Sequence, residues 1–280
     1  MARSTGFPTS DAQDDFLRAR RRRVLARMAA ALRGAQEDID VILPFDEVVE
    51  ALGRVSERDL GVQTIAVDSI AGTVDRGKDF DRSFRPTSSR VRPRFERIAN
   101  AQRRGESMPP IDVYRIGDLH FVRDGHHRVA VARAQGRDRI DARVVEVVTR
   151  VPADASIRLG DLPMKDHERV FRERVPLPPH VRARLRVSDP EDFGCLAEGV
   201  EAWGLRVMQR DREFLDRSEI AARWFEEEYA PVVELLREAD LIDRRETETD
   251  AYLRLSSDRY RLMRTQEWSD DAIARVRRGR

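Results

Sequence analysis

Apolar positions recur in two different rhythms along this chain, and the changes of rhythm divide it. Between residues 14 and 34, "DDFLRARRRRVLARMAAALRG", Phe16, Leu17, Val24, Leu25 and Met28 return at helical spacing, acids stand at the start and Gly34 at the end. The spacing predicts an arginine-rich amphipathic helix docked on the domain that follows, with a nucleic-acid-binding arm as the alternative. "LPFDEVVEALG" predicts a second, short helix with Pro44 near its start and Gly53 as its stop. From residue 62 the rhythm shortens: "VQTIAVDSIAGTV" is rich in β-branched residues and reads as a strand interrupted near Asp68 and Ser69. A polar loop, "DRGKDFDRSFRPTSSR", is kept from helix by Pro86. Then come a helix, "RPRFERIANAQRRG", closed by Gly105, and two strands, "PPIDVYRIGDLHFVRD", joined at Gly117 and Asp118. A further helix is stopped by Gly136, and a last strand, "RIDARVVEVV", sets Ile140, Ala142, Val144 and Val148 on one face. This order predicts a small α+β domain over residues 62–150, preceded by a helical segment, 1–61.

Residues 151–190 hold Pro152, Pro163, Pro176, Pro178, Pro179 and Pro190, and read as a connector that builds no core. Everything from 191 to 280 is helix-periodic and predicts an all-α domain. Within it "LDRSEIAARWFEEEYAPVVELLREADLI" has the helix, break, helix rhythm of a DNA-reading unit. Its Glu226, Glu227, Glu228, Glu234 and Glu238 would repel a phosphate backbone, so helical packing is the preferred reading. Trp203, Trp224, Phe225, Tyr229 and Trp268 are expected in its core.

Composition changes the picture in two ways. The formal net charge is only +1, yet residues 81–140 carry +7 and residues 191–250 carry −10. The middle of the chain suits an anion such as a nucleotide or a nucleic-acid backbone, and the later part does not. The sequence also lacks an apolar run of membrane-spanning length and an apolar leader, from which a cytoplasmic protein with no membrane partner is expected. The single Cys195 can form neither an internal disulfide nor a thiolate metal cage, and is read as a buried free thiol.

The densest group of hydrogen-bonding side chains is the turn in "LHFVRDGHHRVAVARAQG". A helix N-terminus presents unpaired N–H groups and partial positive charge, Gly125 lets a ligand approach the backbone, and His126, His127 and Arg128 add directional donors. That chemistry fits a phosphate. The competing reading is a plain helix cap by Asp124 with idle histidines. No metal site is expected, because adjacent histidines diverge at a helix start and no carboxylate within the helix lies at helical spacing from either.

Residues 63–148 resemble the ParB/sulfiredoxin-like fold family in "IAVDSI", the "FRP" loop, "FERIANAQRRGE", "PIDVYRI" and "DGHHRVAVARAQG" followed by "IDARVVEV". The resemblance implies a small mixed-sheet domain that binds a nucleoside triphosphate, CTP or ATP with Mg, its phosphates on Gly125, His126, His127, Arg128 and Arg85. It also implies a regulatory or chromosome-partitioning, DNA-associated role, and a homodimer is compatible with it; the charge map, not the resemblance, puts the DNA contacts on Arg18, Arg20, Arg21, Arg22 and Arg23 and the basic stretch 82–104. His126 stands where a sulfiredoxin-like enzyme has its cysteine, which excludes that activity, and the "GERR" turn and following "EN" motif of partition proteins are missing. The "DGH" turn matches the free-serine-kinase branch, which makes a small-molecule phosphotransferase with Asp124 as a catalytic acid the alternative. Its second acid would be one of Asp68, Asp75, Asp79 and Asp81. The third reading is a non-catalytic interaction protein.

Overall fold

A computed structural model describes residues 5–32, 41–74, 78–153 and 156–263, with side chains to residue 257. The chain divides into two compact units, residues 1–162 and 163–280. The expected N-terminal segment therefore belongs to the first unit, and most of the expected connector belongs to the second.

The first unit is α+β. Its elements are α1 (Pro8–Ala31), β1 (Leu43–Pro44), α2 (Phe45–Leu52), β2 (Arg54–Ala66), β3 (Ile70–Thr73), α3 (Arg92–Arg103), β4 (Ile111–Ile116), β5 (Leu119–Asp124), α4 (His126–Gln135) and β6 (Arg139–Thr149). One six-stranded mixed sheet runs β1-β3-β5-β4-β6-β2. β1, β3 and β5 are parallel, the β4–β5 hairpin reverses direction, β4 and β6 are parallel, and β2 lies antiparallel on the edge. The interruption expected near Asp68 is a 3-10 turn, Val67–Ser69, which carries the chain from one edge of the sheet toward the other. β2 begins eight residues before the β-branched run, at Arg54, because pairing with β6 supplies hydrogen bonds that its exposed side chains do not advertise.

Both faces of the sheet are covered. Ile111, Val113, Val122, Ala142 and Val144 meet Phe95 and Ala99 of α3 and Val129 and Ala130 of α4, with Phe16 of α1 joining the same core. On the other face Ile116, Leu119, Phe121 and Val147 meet Phe45, Val48 and Leu52 of α2 and Val151, Ala153, Ile157 and Leu162. This corrects the expected face of β6: Val147 is buried and Val148 is exposed, because the strand runs past the helices of one face and is then covered from the other. Gly72 marks the closest approach within the sheet, where an added Cβ would lie 2.2 Å from the Phe121 ring and 2.6 Å from the Leu43 carbonyl oxygen.

The second unit is all helical: α5 (Leu162–Arg174), α6 (Pro179–Arg182), α7 (Asp192–Asp211), α8 (Arg217–Trp224), a π turn (Phe225–Tyr229), α9 (Ala230–Glu238) and α10 (Glu248–Met263). The proline-containing stretch is not a bare connector, since Phe171, Val175, Leu177 and Leu185 enter this core. Trp203, Trp224, Phe225 and Tyr229 are buried as expected, and Trp268 lies outside the described residues. The expected break between two DNA-reading helices is absent. α8 runs through the π turn into α9 with helical backbone at each junction. Pro231 explains the wider turn, since it has no N–H to give and crowds the carbonyl four residues back. Cys195 is exposed on α7 rather than buried; partial desolvation by its neighbours first, then the charges of Asp192 and Glu198, raise its thiol pKa. Among the described residues no helix is long and apolar enough to cross a membrane.

Candidate functional site

β5 delivers the chain to the Asp124–Arg128 turn, and the turn is made by Gly125 in the left-handed region, φ 103°. The space its Cβ would need is filled, with Ile111 Cγ2 at 2.4 Å. Gly125 is thus required by packing as well as by backbone conformation. Asp124 does not cap α4. Its Oδ2 accepts from Arg128 Nη2 at 2.6 Å, while Arg128 Nη1 donates to the carbonyls of Pro109 (2.6 Å) and Pro110 (2.8 Å). Arg128 therefore clamps the loop before β4 to the start of α4.

The two histidines turn inward. Nε2 of His126 is 2.6 Å from the Thr73 hydroxyl, and the ring lies near-parallel to Phe80 and Phe84, at centroid distances of 6.5 and 6.2 Å. His127 meets Phe80 edge-on at 5.2 Å. Both are buried beneath the loop 78–87, and Phe84 separates His126 from the surface cleft described next.

That loop is organised by one carboxylate. Asp81 is fully buried, and its Oδ1 accepts from the N–H groups of Ser83 (3.0 Å) and Arg85 (2.9 Å). Its own N–H and C=O bond Arg85 O and Phe84 N, closing a turn in which Phe84 adopts φ 54°. A buried aromatic residue in that region is a strained feature held by its surroundings. Oδ2 faces Arg85 Nε at 3.5 Å and Arg23 Nε at 3.8 Å. Burial raises the Asp81 pKa, opposed by the Arg85 N–H and charge, the Ser83 N–H and the Arg23 charge. Arg85 also donates to Arg22 O and Ser83 Oγ, and Arg23 to Thr87 O. The loop and α1 are knitted together around Asp81.

Over this arrangement opens a cleft of about 780 Å³. α1 lines it with Ala19 and Arg22, the 3-10 turn with Val67 and Asp68, the loop with Ser83, Phe84 and Arg85, and α4 and the residues after it with Ala130, Arg133, Ala134, Gly136, Arg137 and Asp138. Four arginines face two carboxylates. Arg133 lies on the Phe84 ring, and burial lowers its pKa, offset by the charges of Asp68 and Asp81. Arg22 and Arg137 are exposed.

The expected phosphate ligands are not all brought together. Arg85 lines the cleft, Arg128 lines a separate hollow of about 280 Å³ with Arg137 and Arg139, and Gly125, His126 and His127 line neither. Of the expected acids, Asp68 is in the cleft, Asp81 is beneath the loop, Asp79 is half-buried, Asp124 is exposed on Arg128 and Asp75 lies outside the described residues. Of the expected DNA contacts, Arg20, Arg21 and Arg22 are exposed, Arg18 pairs with Asp15 and Arg23 turns toward Asp81. Sequence reasoning missed Arg133 and Arg137 as cleft residues, although their four-residue spacing on and just beyond α4 was a signal. Among the described residues no group of three or more His, Cys, Asp or Glu side chains could hold a metal ion. Comparison of the chain with protein-family models, with curated proteins and with solved structures finds no match in any of the three.

Proposed function

We propose that the first unit is a ParB-like nucleotide-binding domain whose ligand's phosphates lie in the arginine-lined cleft between α1, the 81–87 loop and α4. One observation carries this reading: four arginines and two carboxylates line a cleft whose volume is that of ordinary small-molecule sites, roughly 300–1,000 Å³. Arg22 and Arg137, exposed and on long stems, are suited to meet phosphate oxygens as planar forks. Arg85 and Arg133, already fixed by backbone carbonyls, supply positive potential without moving. The nucleotide takes the protein into a regulatory, DNA-associated role, with the exposed Arg20 and Arg21 as the DNA-facing groups. Magnesium, CTP and ATP, and a homodimer, belong to the same proposal. A thermal-shift series with CTP, ATP, ADP and GTP tests it: at least one nucleotide raises the melting temperature, and a flat response to all four at millimolar concentration counts against it.

Asp68 favours a second reading. Asp68 lines the same cleft as four arginines, and in the small-molecule phosphotransferase alternative it would serve as general base for a hydroxyl attacking a bound phosphate. Transfer from radiolabelled ATP to a small hydroxyl compound, abolished by Asp68→Asn, would select it over simple binding.

A further inference from the structure

α1 has two opposed apolar stripes rather than one. At about 100° per residue, Ala12, Phe16, Ala19 and Ala30 share the side that is buried, and Phe16 meets Phe95 edge-on at 5.5 Å. Leu17, Val24, Leu25, Met28 and Leu32 gather within an arc of about 100° on the opposite side, where they are exposed, Met28 by 62% and Leu32 by 90%. This revises the expectation that Phe16, Leu17, Val24, Leu25 and Met28 form a single docking face. α1 docks through a narrow face of alanines and Phe16, sealed by Arg103 bonding Asp15 at 2.7 Å, and its larger aliphatic side chains are left outside.

We infer that the outer face of α1 is a docking surface for an acidic amphipathic helix of a partner protein. The apolar stripe is long and narrow, the shape that an i, i+4, i+7 ridge of a second helix fills. Its borders are cationic: Arg20 and Arg27 follow one edge, Arg18, paired with Asp15, and Arg22, which also lines the cleft, follow the other, and Arg21 stands inside it, with Asp14 near the N-terminal end as its acid. That charge complements glutamates flanking the partner's apolar stripe, as charges beside a helical seam set partner choice. A second copy of α1 would set arginine against arginine, which disfavours self-pairing. A lipid surface would receive the borders but would have to take the Arg21 guanidinium at the centre of the apolar face, whereas a helix can answer it with one carboxylate. A nucleic acid on Arg20 and Arg21 would leave the aliphatic stripe in water, so DNA and the partner helix exclude one another on this face.

The probe is a synthetic three-heptad peptide with leucine at a and d and glutamate at e and g, whose glutamates oppose pairing with itself. A labelled peptide is titrated with the full chain by fluorescence anisotropy. The expected result is saturable binding that weakens with salt, is lost when lysine replaces glutamate, and falls by about tenfold or more in Val24→Asp/Met28→Asp and in Leu25→Glu. These side chains face solvent, and an unchanged melting temperature verifies that the variants fold. Arg21→Glu is expected to weaken the peptide, and a single lysine opposite it to restore binding. Absence of saturable binding, or equal binding by the Leu25→Glu chain, overturns the inference. So does co-flotation with phosphatidylcholine/phosphatidylglycerol vesicles that depends on Val24 and Met28, or self-association of the chain through the same residues in ultracentrifugation.

Discussion

The guanidinium of Arg133 lies 5.2 Å from the centre of the Phe84 ring while its Nη2 donates to both Ile70 O, at 2.6 Å, and Val67 O, at 3.1 Å. One side chain thus ties α4 to the turn between β2 and β3 and packs on the ring of the strained loop residue. Arg133→Met keeps the aliphatic bulk but leaves those carbonyls without their charged donor. It is expected to lower unfolding stability by about 1.5–3 kcal/mol, read from urea denaturation; an unchanged midpoint would mean that the contact is idle.

His120 supplies a pH dependence. It is buried, with Nδ1 2.9 Å from Ser69 Oγ, and burial first and the Arg115 charge second bring its pKa down to about 4, against a smaller opposing effect of Asp118. The folded pKa is below the unfolded one of about 6.5, so the neutral ring's contribution is present above pH 6.5 and is lost as pH falls from there toward 4. The stability difference between the wild type and His120→Gln should shrink over that window by up to about 3 kcal/mol. Parallel pH profiles of the two chains would contradict this.

The Asp124–Arg128 pair should divide unequally. Asp124 is 60% exposed, so Asp124→Asn is expected to cost less than about 1 kcal/mol. Arg128→Ala removes two carbonyl bonds as well and should cost about 1.5–3 kcal/mol. Gly125→Ala meets both left-handed backbone and Ile111, and should cost at least about 2 kcal/mol. Chemical denaturation of the three variants checks the order.

DNA binding, if it runs through α1, should follow the exposed arginines. Arg20→Glu and Arg21→Glu are each expected to weaken DNA binding uniformly across sequences and to reduce the salt slope by about one unit. A defined sequence preference that survives both substitutions would point away from α1.

Much of the first unit is legible in the sequence because its punctuation is local. Gly53, Gly105, Gly117 and Gly136 all take positive φ, or sit just after a helix, where the sequence reading ended an element, and Pro44 precedes α2. What is not legible depends on contacts distant in sequence. Residues 54–61 of β2 are largely polar and exposed, and only their pairing with β6, 83 to 95 residues later, makes them part of a strand. The α1 pattern gave its period but not its orientation, since alanines and Phe16 bury while leucines do not. At the turn, the local reading of donors at a helix start was chemically sound, yet Arg128 finds Pro109 and Pro110, and the histidines find Thr73, Phe80 and Phe84, all supplied by other segments. The cleft arginines come from α1, a loop and the end of α4, and no contiguous motif holds them.

The central claim is that nucleotide phosphate is held by the cleft arginines, and isothermal calorimetry with CTP, ATP, ADP and GTP in the presence of magnesium tests it most directly when run on the wild type, Arg22→Ala and Arg137→Ala. Both arginines are exposed, so removing them should leave the fold intact. Saturable binding of at least one nucleotide by the wild type is expected, with a loss of about tenfold or more in each variant, the scale of one hydrogen bond to a charged group. No heat at millimolar nucleotide, or binding that neither substitution weakens, would contradict it.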